Sequence, residues 1–157
     1  MTPDLFKQIA SQWLTGVAIV TATAVDGELC GMTMSAVTSL SLEPPQFLVC
    51  MDRRAKTLAA IEHSKAFCIH ILSEHQKELS NHFARRGGDR FHDVPHRISD
   101  AGVPILDDVV ALLECRLFAI LEGGDHAIVI GDAIHGAVNG GHPLAYFHGG
   151  YRKMDLT

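Results

Sequence analysis

The sequence predicts a mainly β fold with inserted helices, built on an antiparallel sheet that curls into a barrel. Three observations carry that expectation. Two long strand-like runs, 110–122 and 126–138, meet at Gly123-Gly124-Asp125. A run rich in β-branched residues at 17–24 breaks at Asp26-Gly27 and restarts at Leu29. The helical patterns are short and inserted between strands instead of alternating with them.

In chain order, Thr2-Pro3-Asp4 is a helix start, after which Leu5, Phe6, Ile9 and Trp13 share one face at helical spacing. That helix ends before Gly16. The 17–24 run and the segment from Leu29 form a hairpin. The stretch from Gly31 to Pro45 places hydroxyls at 33, 35, 39 and 41 between apolar residues, giving one strand face a row of small polar groups. Such a face suits a planar, heteroatom-rich ligand, and equally an ordinary exposed strand. Residues 46–51 follow Pro44-Pro45 as a buried strand that begins where proline is tolerated. A short helix at 58–62 and a second buried strand at 66–72 come next. Ser73-Glu74-His75-Gln76 has capping-box spacing, so a helix runs on to about Phe83. From 84 to 103 the pattern dissolves into a loop of nearly 20 residues, a length usually associated with function. A last strand at 143–147 leads into Gly149-Gly150-Tyr151.

Composition narrows the classes. At 157 residues and 17.0 kDa the chain has room for one domain, 1–157. Apolar residues at 47% and charged ones at 20% exclude a disordered chain, a collagen-like rod or a coiled coil. The most apolar stretch, 109–121, is interrupted by Glu114 and Arg116, short of the ~20 clean residues a bilayer requires, so no membrane span is expected. No basic cluster precedes an apolar block near Met1, which predicts neither a signal nor a transit peptide and a cytoplasmic protein. The net charge of −5 disfavours nucleic acid. It also conceals an asymmetry: Lys and Arg concentrate between Arg53 and Arg97, whereas the acidic residues from Asp107 to Asp132 face only Arg116. A locally basic region in an acidic protein suits a small anionic ligand, or a solvated surface.

Chemical motifs are few. Cys50, Cys68 and Cys115 sit in apolar strand-like runs and, with Cys30, are too far apart in sequence for a zinc pattern, so they read as small buried hydrophobes. Of ten histidines only His92 and His96 are four apart, and Pro95 keeps them off one helical face, so no metal centre is expected. Neither G-x-G-x-x-G, a phosphate loop nor G-x-S-x-G occurs. Two segments remain. Residues 49–57 carry a strand out into Asp52-Arg53-Arg54-Ala55-Lys56-Thr57, where helix-start amides, a hydroxyl and cations assemble as in phosphate sites. Asp125-His126, after a Gly-Gly turn, places an imidazole where a strand opens; a plain turn histidine fits that position as well.

The ordered set Gly16-Val17-Ala18-Ile19-Val20-Thr21-Ala22, Gly31-Met32-Thr33-Met34-Ser35-Ala36 through Pro44-Pro45, Phe67-Cys68-Ile69-His70-Ile71-Leu72, Gly124-Asp125-His126, Pro143-Leu144-Ala145-Tyr146-Phe147 and Gly150-Tyr151-Arg152 resembles the flavin reductase family. These are the NAD(P)H:flavin oxidoreductases that serve two-component flavin monooxygenases. The resemblance spans residues 6–152. It implies an antiparallel split β-barrel of the FMN-binding type, a homodimer with flavin near the subunit interface, FMN or FAD as flavin, NADH or NADPH as reductant, and a monooxygenase that receives reduced flavin. Carried over by position, Thr33, Met34, Ser35 and Ala36 line the isoalloxazine. Ser39, Arg53, Lys56 and Thr57 hold the flavin phosphate, with Cys50, Met51 and Asp52 forming the strand end beneath it. Phe83, Arg86 and Phe91 border the ribityl or adenine side. His126 contacts the nicotinamide as the catalytic residue, and Tyr146 and Tyr151 close that side. Two other readings fit the same barrel: a flavin- or haem-binding protein without turnover, and an oxidase of a small phosphorylated vitamer. The latter leans on late arginines, and only Arg116 and Arg152 follow Arg97.

Overall fold

The computed structural model describes residues 1–85 and 87–154. The chain runs through α1 (Pro3–Ala10), β1 (Thr15–Gly16), β2 (Ala18–Thr23), β3 (Leu29–Met34), β4 (Val37–Leu42), β5 (Pro45–Asp52), α2 (Lys56–Ser64), β6 (Ala66–Ile71), α3 (Lys77–Ala84), β7 (His96–Ile98), β8 (Pro104–Leu106), β9 (Ala111–Gly123), β10 (His126–Val138), β11 (Ala145–Phe147) and β12 (Gly150–Arg152). Seven strands form one antiparallel sheet in the order β3-β2-β6-β9-β10-β5-β4; β1, β11 and β12 form a second, and β7 and β8 a hairpin. Among the described residues no helix is long and apolar enough to cross a membrane.

The large sheet has to roll up. Its two edges, β3 and β4, are separated in the chain by Ser35 and Ala36 alone. A link of that length reaches on the order of 10 Å, whereas seven flat strands at about 4.8 Å spacing would lie on the order of 30 Å across. The edges therefore meet at Ser35-Ala36. They do not pair with each other, so the barrel is split along that seam. The same crossing divides the row of hydroxyls expected on one strand: Thr33 stays on β3, while Ser39 and Ser41 belong to β4 at the opposite edge.

Both faces of the central strands are covered, which is why they read as unbroken apolar runs. Val20, Met34, Val49, Met51, Phe67, Ile69 and Val129 fill the inside, and α2 closes it with Leu58, Ala60 and Ile61. On the outside, Ile19, Cys68 and Leu112 pack with Phe83 and Phe91 and with Ile105 and Leu106 of β8. All four cysteines are free. Cys30, Cys68 and Cys115 are buried, whereas Cys50 is only half-buried; burial pushes the thiol of Cys115 up to about 12 and that of Cys68 higher still, consistent with core residues. Gly131 is needed inside, because a Cβ there would lie 2.5 Å from Phe67 Cζ and 2.6 Å from Cys115 Cβ.

Three polar side chains bolt the β7–β8 hairpin and its turn to the barrel. Thr21 and Thr23 hydroxyls donate to the carbonyls of Pro104 and Gly102 at 2.6 and 2.7 Å. The fully buried His70 donates from Nδ1 to the Ile19 carbonyl at 3.1 Å, and its Nε2 accepts the Leu106 N–H at 3.1 Å. Only the neutral ring can do both. Burial accordingly pulls its pKa down to about 4.

Two further elements differ from expectation. The Gln76 side chain accepts the Ser73 N–H at 3.0 Å, the return half of a capping box, yet α3 begins only at Lys77. The cause is a bridge from Ser73 to Pro143, with Glu74 N–H donating to the His142 carbonyl, which keeps Ser73 strand-like and turns the chain at 74–75 before the helix begins. The expected 84–103 loop is shorter, because β7 pairs with β8 and occupies part of it.

Gly131→Ala is expected to lower stability by about 1–3 kcal/mol in urea unfolding, whereas Gly16→Ala, whose Cβ meets nothing within 4 Å, changes little. His70 binds its proton less readily folded than unfolded, so its contribution is complete above about pH 6.5 and is lost as pH falls toward about 4. Between pH 7 and pH 4.5 the native protein should lose on the order of 2–3 kcal/mol that a His70→Asn variant does not. Equal pH slopes for the two proteins would contradict this.

Candidate functional site

Four segments converge on a cleft of about 420 Å³: Glu28 with β3 as far as Thr33, the end of β5, the start of α2 and the end of α3 with the residues after it. β5 runs out at Asp52, whose Oδ1 accepts the Arg54 N–H at 2.8 Å. That side-chain turn reverses the chain and aims the start of α2 at the cleft. Lys56 and Thr57 open the helix, Ala55 supplies no side-chain cap, and all three line the cleft. An uncapped helix start presents unpaired amides and a partial positive charge, which favour an anion. Arg54, Arg85 and Arg90 line the same space.

The opposite wall is apolar: Leu29 and Met32 of β3, with Phe83 and Ala84 of α3. Gly31 permits the close approach of that wall, since a Cβ there would lie 2.7 Å from Phe83 Cε1. Arg90 reaches back to the Gly31 carbonyl, and His82 Nε2 lies 2.9 Å from the Arg90 carbonyl, so residues after α3 are anchored over β3. Thr33 is tied to α3 by its hydroxyl, which donates to the Ser80 carbonyl at 2.6 Å. A second cavity of about 410 Å³ shares Glu28 and Leu29 and adds Phe91, His92 and His96.

Of the residues expected from the sequence, Thr33, Asp52, Lys56, Thr57 and Phe83 come together on the cleft wall. Met34 and Met51 are buried in the barrel core, and Cys50 lies half-buried beside them on β5. Ser35 and Ala36 are exposed at the seam, where the Ala36 carbonyl accepts the Cys50 N–H at 2.9 Å; Ser39 is exposed on β4. Phe91 is buried against Phe83, ring centroids 5.2 Å apart. Arg53 turns away from the cleft to Glu122 at 3.0 Å, across the β9–β10 turn. Arg86 lies outside the described residues. Tyr151 donates to Asn81 Oδ1 at 3.0 Å and meets Ser80 Oγ at 2.8 Å, and Tyr146 stacks edge-on against it, so both sit behind α3 and not on the cleft wall. Sequence reasoning places Arg54 in the phosphate-like segment 49–57 but gives it no role of its own, and among the other polar cleft residues it gives none to Glu28, Cys30, Arg85 and Arg90. The three arginines carried a signal, the basic stretch from 53 to 97; Glu28 and Cys30 carried none.

His126 opens β10 directly opposite Asp52 in the β5–β10 ladder. Its Nδ1 lies 2.8 Å from Asp125 Oδ1, an arrangement that orients the ring and leaves Nε2 without a hydrogen-bond partner among the described residues. The imidazole beside Asp125 holds that carboxyl below its usual value. The Arg54 guanidinium does the same to Asp52, more strongly. Inside the cleft, burial raises the Cys30 thiol, so it stays protonated and is no nucleophile. Among the described residues no group of three or more His, Cys, Asp or Glu is placed to hold a metal ion. The cleft is therefore equipped to hold an anionic, partly apolar molecule, with redox or covalent chemistry left to what it binds.

Residues 11–155 match the flavin reductase like domain family. A Kitasatospora aureofaciens protein named flavin reductase (NADH) is 39% identical over 157 residues, covering 98% of this chain and 82% of the relative. A Rhizobium meliloti (strain 1021) relative is 39% identical over 149 residues, 95% of this chain; the chain spans only about half of that protein, 48%. Nitrilotriacetate monooxygenase component B from Mycobacterium thermoresistibile superposes with a TM-score of 0.91 at 32% identity, over 97% of this chain and 86% of its own. A match of this length, on the split sheet and cleft just described, places the chain in the flavin reductase like domain family.

Proposed function

We propose that the protein is an NAD(P)H-dependent flavin reductase that supplies reduced FMN or FAD to a flavin-dependent monooxygenase. The observation that carries the reading is the cleft at the start of α2. Its uncapped amides, Lys56, Thr57 and Arg54 match a flavin phosphate, and its apolar wall of Met32 and Phe83 matches the uncharged remainder. When bound, the flavin supplies the hydride acceptor, and the nicotinamide the hydride.

The protein's share is then positioning. Lys56, Thr57 and the α2 amides hold the phosphate end, as does Ser39 if the flavin extends along β4. The exposed backbone at Ser35-Ala36, on the seam between the sheet edges, receives the ring system. His126, oriented by Asp125, directs the nicotinamide with its free Nε2. Arg53 acts by fixing the turn that presents His126, through Glu122 and the carbonyls of Gly124 and Asp125.

A homodimer completes the reading. Leu5, Phe6, Ile9 and Trp13 form the apolar side of α1 and its extension, all exposed, Trp13 by 78%. Leu42 and Val138, each 85% exposed, add to the apolar surface. A second copy is the partner a family of this type implies, and covering these side chains removes an otherwise costly apolar exposure.

In air, NADH or NADPH with FMN, FAD or riboflavin should show catalysed loss of nicotinamide absorbance. Flavin binding without that loss would leave a binding module and refute the reductase. His126→Ala should raise KM for the nicotinamide about tenfold or more while KM for flavin changes little; unchanged values for both would remove His126 from the site. Trp13→Glu should shift the sedimenting species from dimer to monomer, and a native protein that sediments as a monomer would refute the dimer.

A further inference from the structure

Two carboxylates stand in a cleft otherwise built to attract an anion. Glu28 Oε1 lies 3.4 Å from Lys56 Nζ, and Asp52 takes Arg54 in a two-pronged pair at 3.0 and 2.8 Å. All four residues line the cleft. Folding stability does not account for the pairs: the side chains of Arg54 and Lys56 are 82% and 78% exposed, and ion pairs that wet contribute little. Nor does local geometry require the charge. The turn at Asp52 uses one acceptor oxygen for the Arg54 N–H, and an asparagine offers the same atom.

The consequence falls on the ligand. A phosphate entering the cleft has to draw Lys56 and Arg54 away from their carboxylates. Once it has done so, Glu28 and Asp52 remain on the wall as like charges beside it. Both effects penalise a phosphate and spare a neutral molecule of the same shape.

We propose that Glu28 and Asp52 are built-in competitors of the flavin phosphate, which hold affinity down so that flavin leaves after turnover as a diffusing product instead of staying as a resident prosthetic group. The inference rests on the flavin reading above. It assigns Glu28 and Asp52 a role in release, acting through Lys56 and Arg54 on the dissociation rate, where most affinity differences reside.

The test is flavin fluorescence titration and stopped-flow dissociation of FMN and riboflavin from the full chain, for the native protein, Glu28→Gln, Asp52→Asn and the double variant. Each single change should tighten FMN about two- to fivefold at low salt and slow its release by a similar factor, and the double change by about tenfold. Riboflavin, which lacks the phosphate, should bind all four alike, and the FMN gain should shrink at high ionic strength. FMN affinity unchanged or weakened in both single variants would overturn the inference, as would an equal gain for riboflavin, because that would reflect shape and not charge. If the native protein binds FMN while the variants gain nothing, the inference alone fails. If the native protein binds neither flavin, the reductase reading fails with it. Matching melting temperatures confirm that each variant is folded, and a variant that melts early is replaced by Glu28→Ala or Asp52→Ser, for which the same gain in FMN and constancy in riboflavin are required.

Discussion

The two-residue link between the sheet's edges governs everything else in this molecule. Because Ser35 and Ala36 must join β3 to β4, the seven strands cannot lie flat, and rolling them up creates an interior that has to be filled and an end that has to be closed. Helix α2 closes it. Its buried face is held by the barrel core, so its first turn is fixed at the rim beside β3. The anion-attracting helix start and the apolar wall are thus brought together by a constraint that contains neither.

The cleft has binding equipment without reactive equipment. Cations, amides and a phenyl ring surround it, while its thiol is protonated and His126 lies on the neighbouring strand. On the proposed reading, its part in the reaction is where it places the two partners and how firmly it holds each. Thr33 illustrates the point: its hydroxyl is committed to α3, so the residue shapes the wall through its backbone and position. Behind that helix, Ser80 and Asn81 take the Tyr151 hydroxyl, which ties the β11–β12 hairpin to the same wall. Residues that touch no ligand therefore set the width of the cleft.

Much of the fold was legible because local signals agreed. Asp26-Gly27 and Gly123-Gly124-Asp125 mark hairpins, and alternate residues of β2 face the inner and outer cores. Where reading faltered, a distant partner decided. Ser73 has the sequence of a helix cap, but Pro143 holds it extended; the hydroxyls from 33 to 41 look like one face, but the seam sends them to opposite edges. The candidate cleft was legible at 52, 56 and 57, where strand end, turn and helix start are contiguous in sequence. Arg53 and Arg54 are indistinguishable by type, and only the Asp52 turn and Glu122 determine which of them faces the cleft. Glu28 had no signal at all, since its significance depends on Lys56, 28 positions away.

The register of the long sheet bears on how the chain reaches this state. The β9–β10 hairpin closes over a two-residue turn, a local event. Joining it to the rest pairs Asp132 with Gln46 and His126 with Asp52, partners more than 70 positions apart. Such closures cost chain entropy before any contact repays it, which slows folding, and within the large sheet the β5–β10 pairing spans the greatest separation. Until they meet, residues His126–Asp132 of β10 form an edge with open backbone groups. An uncovered edge of this kind is the segment through which unfinished chains pair with one another at high concentration.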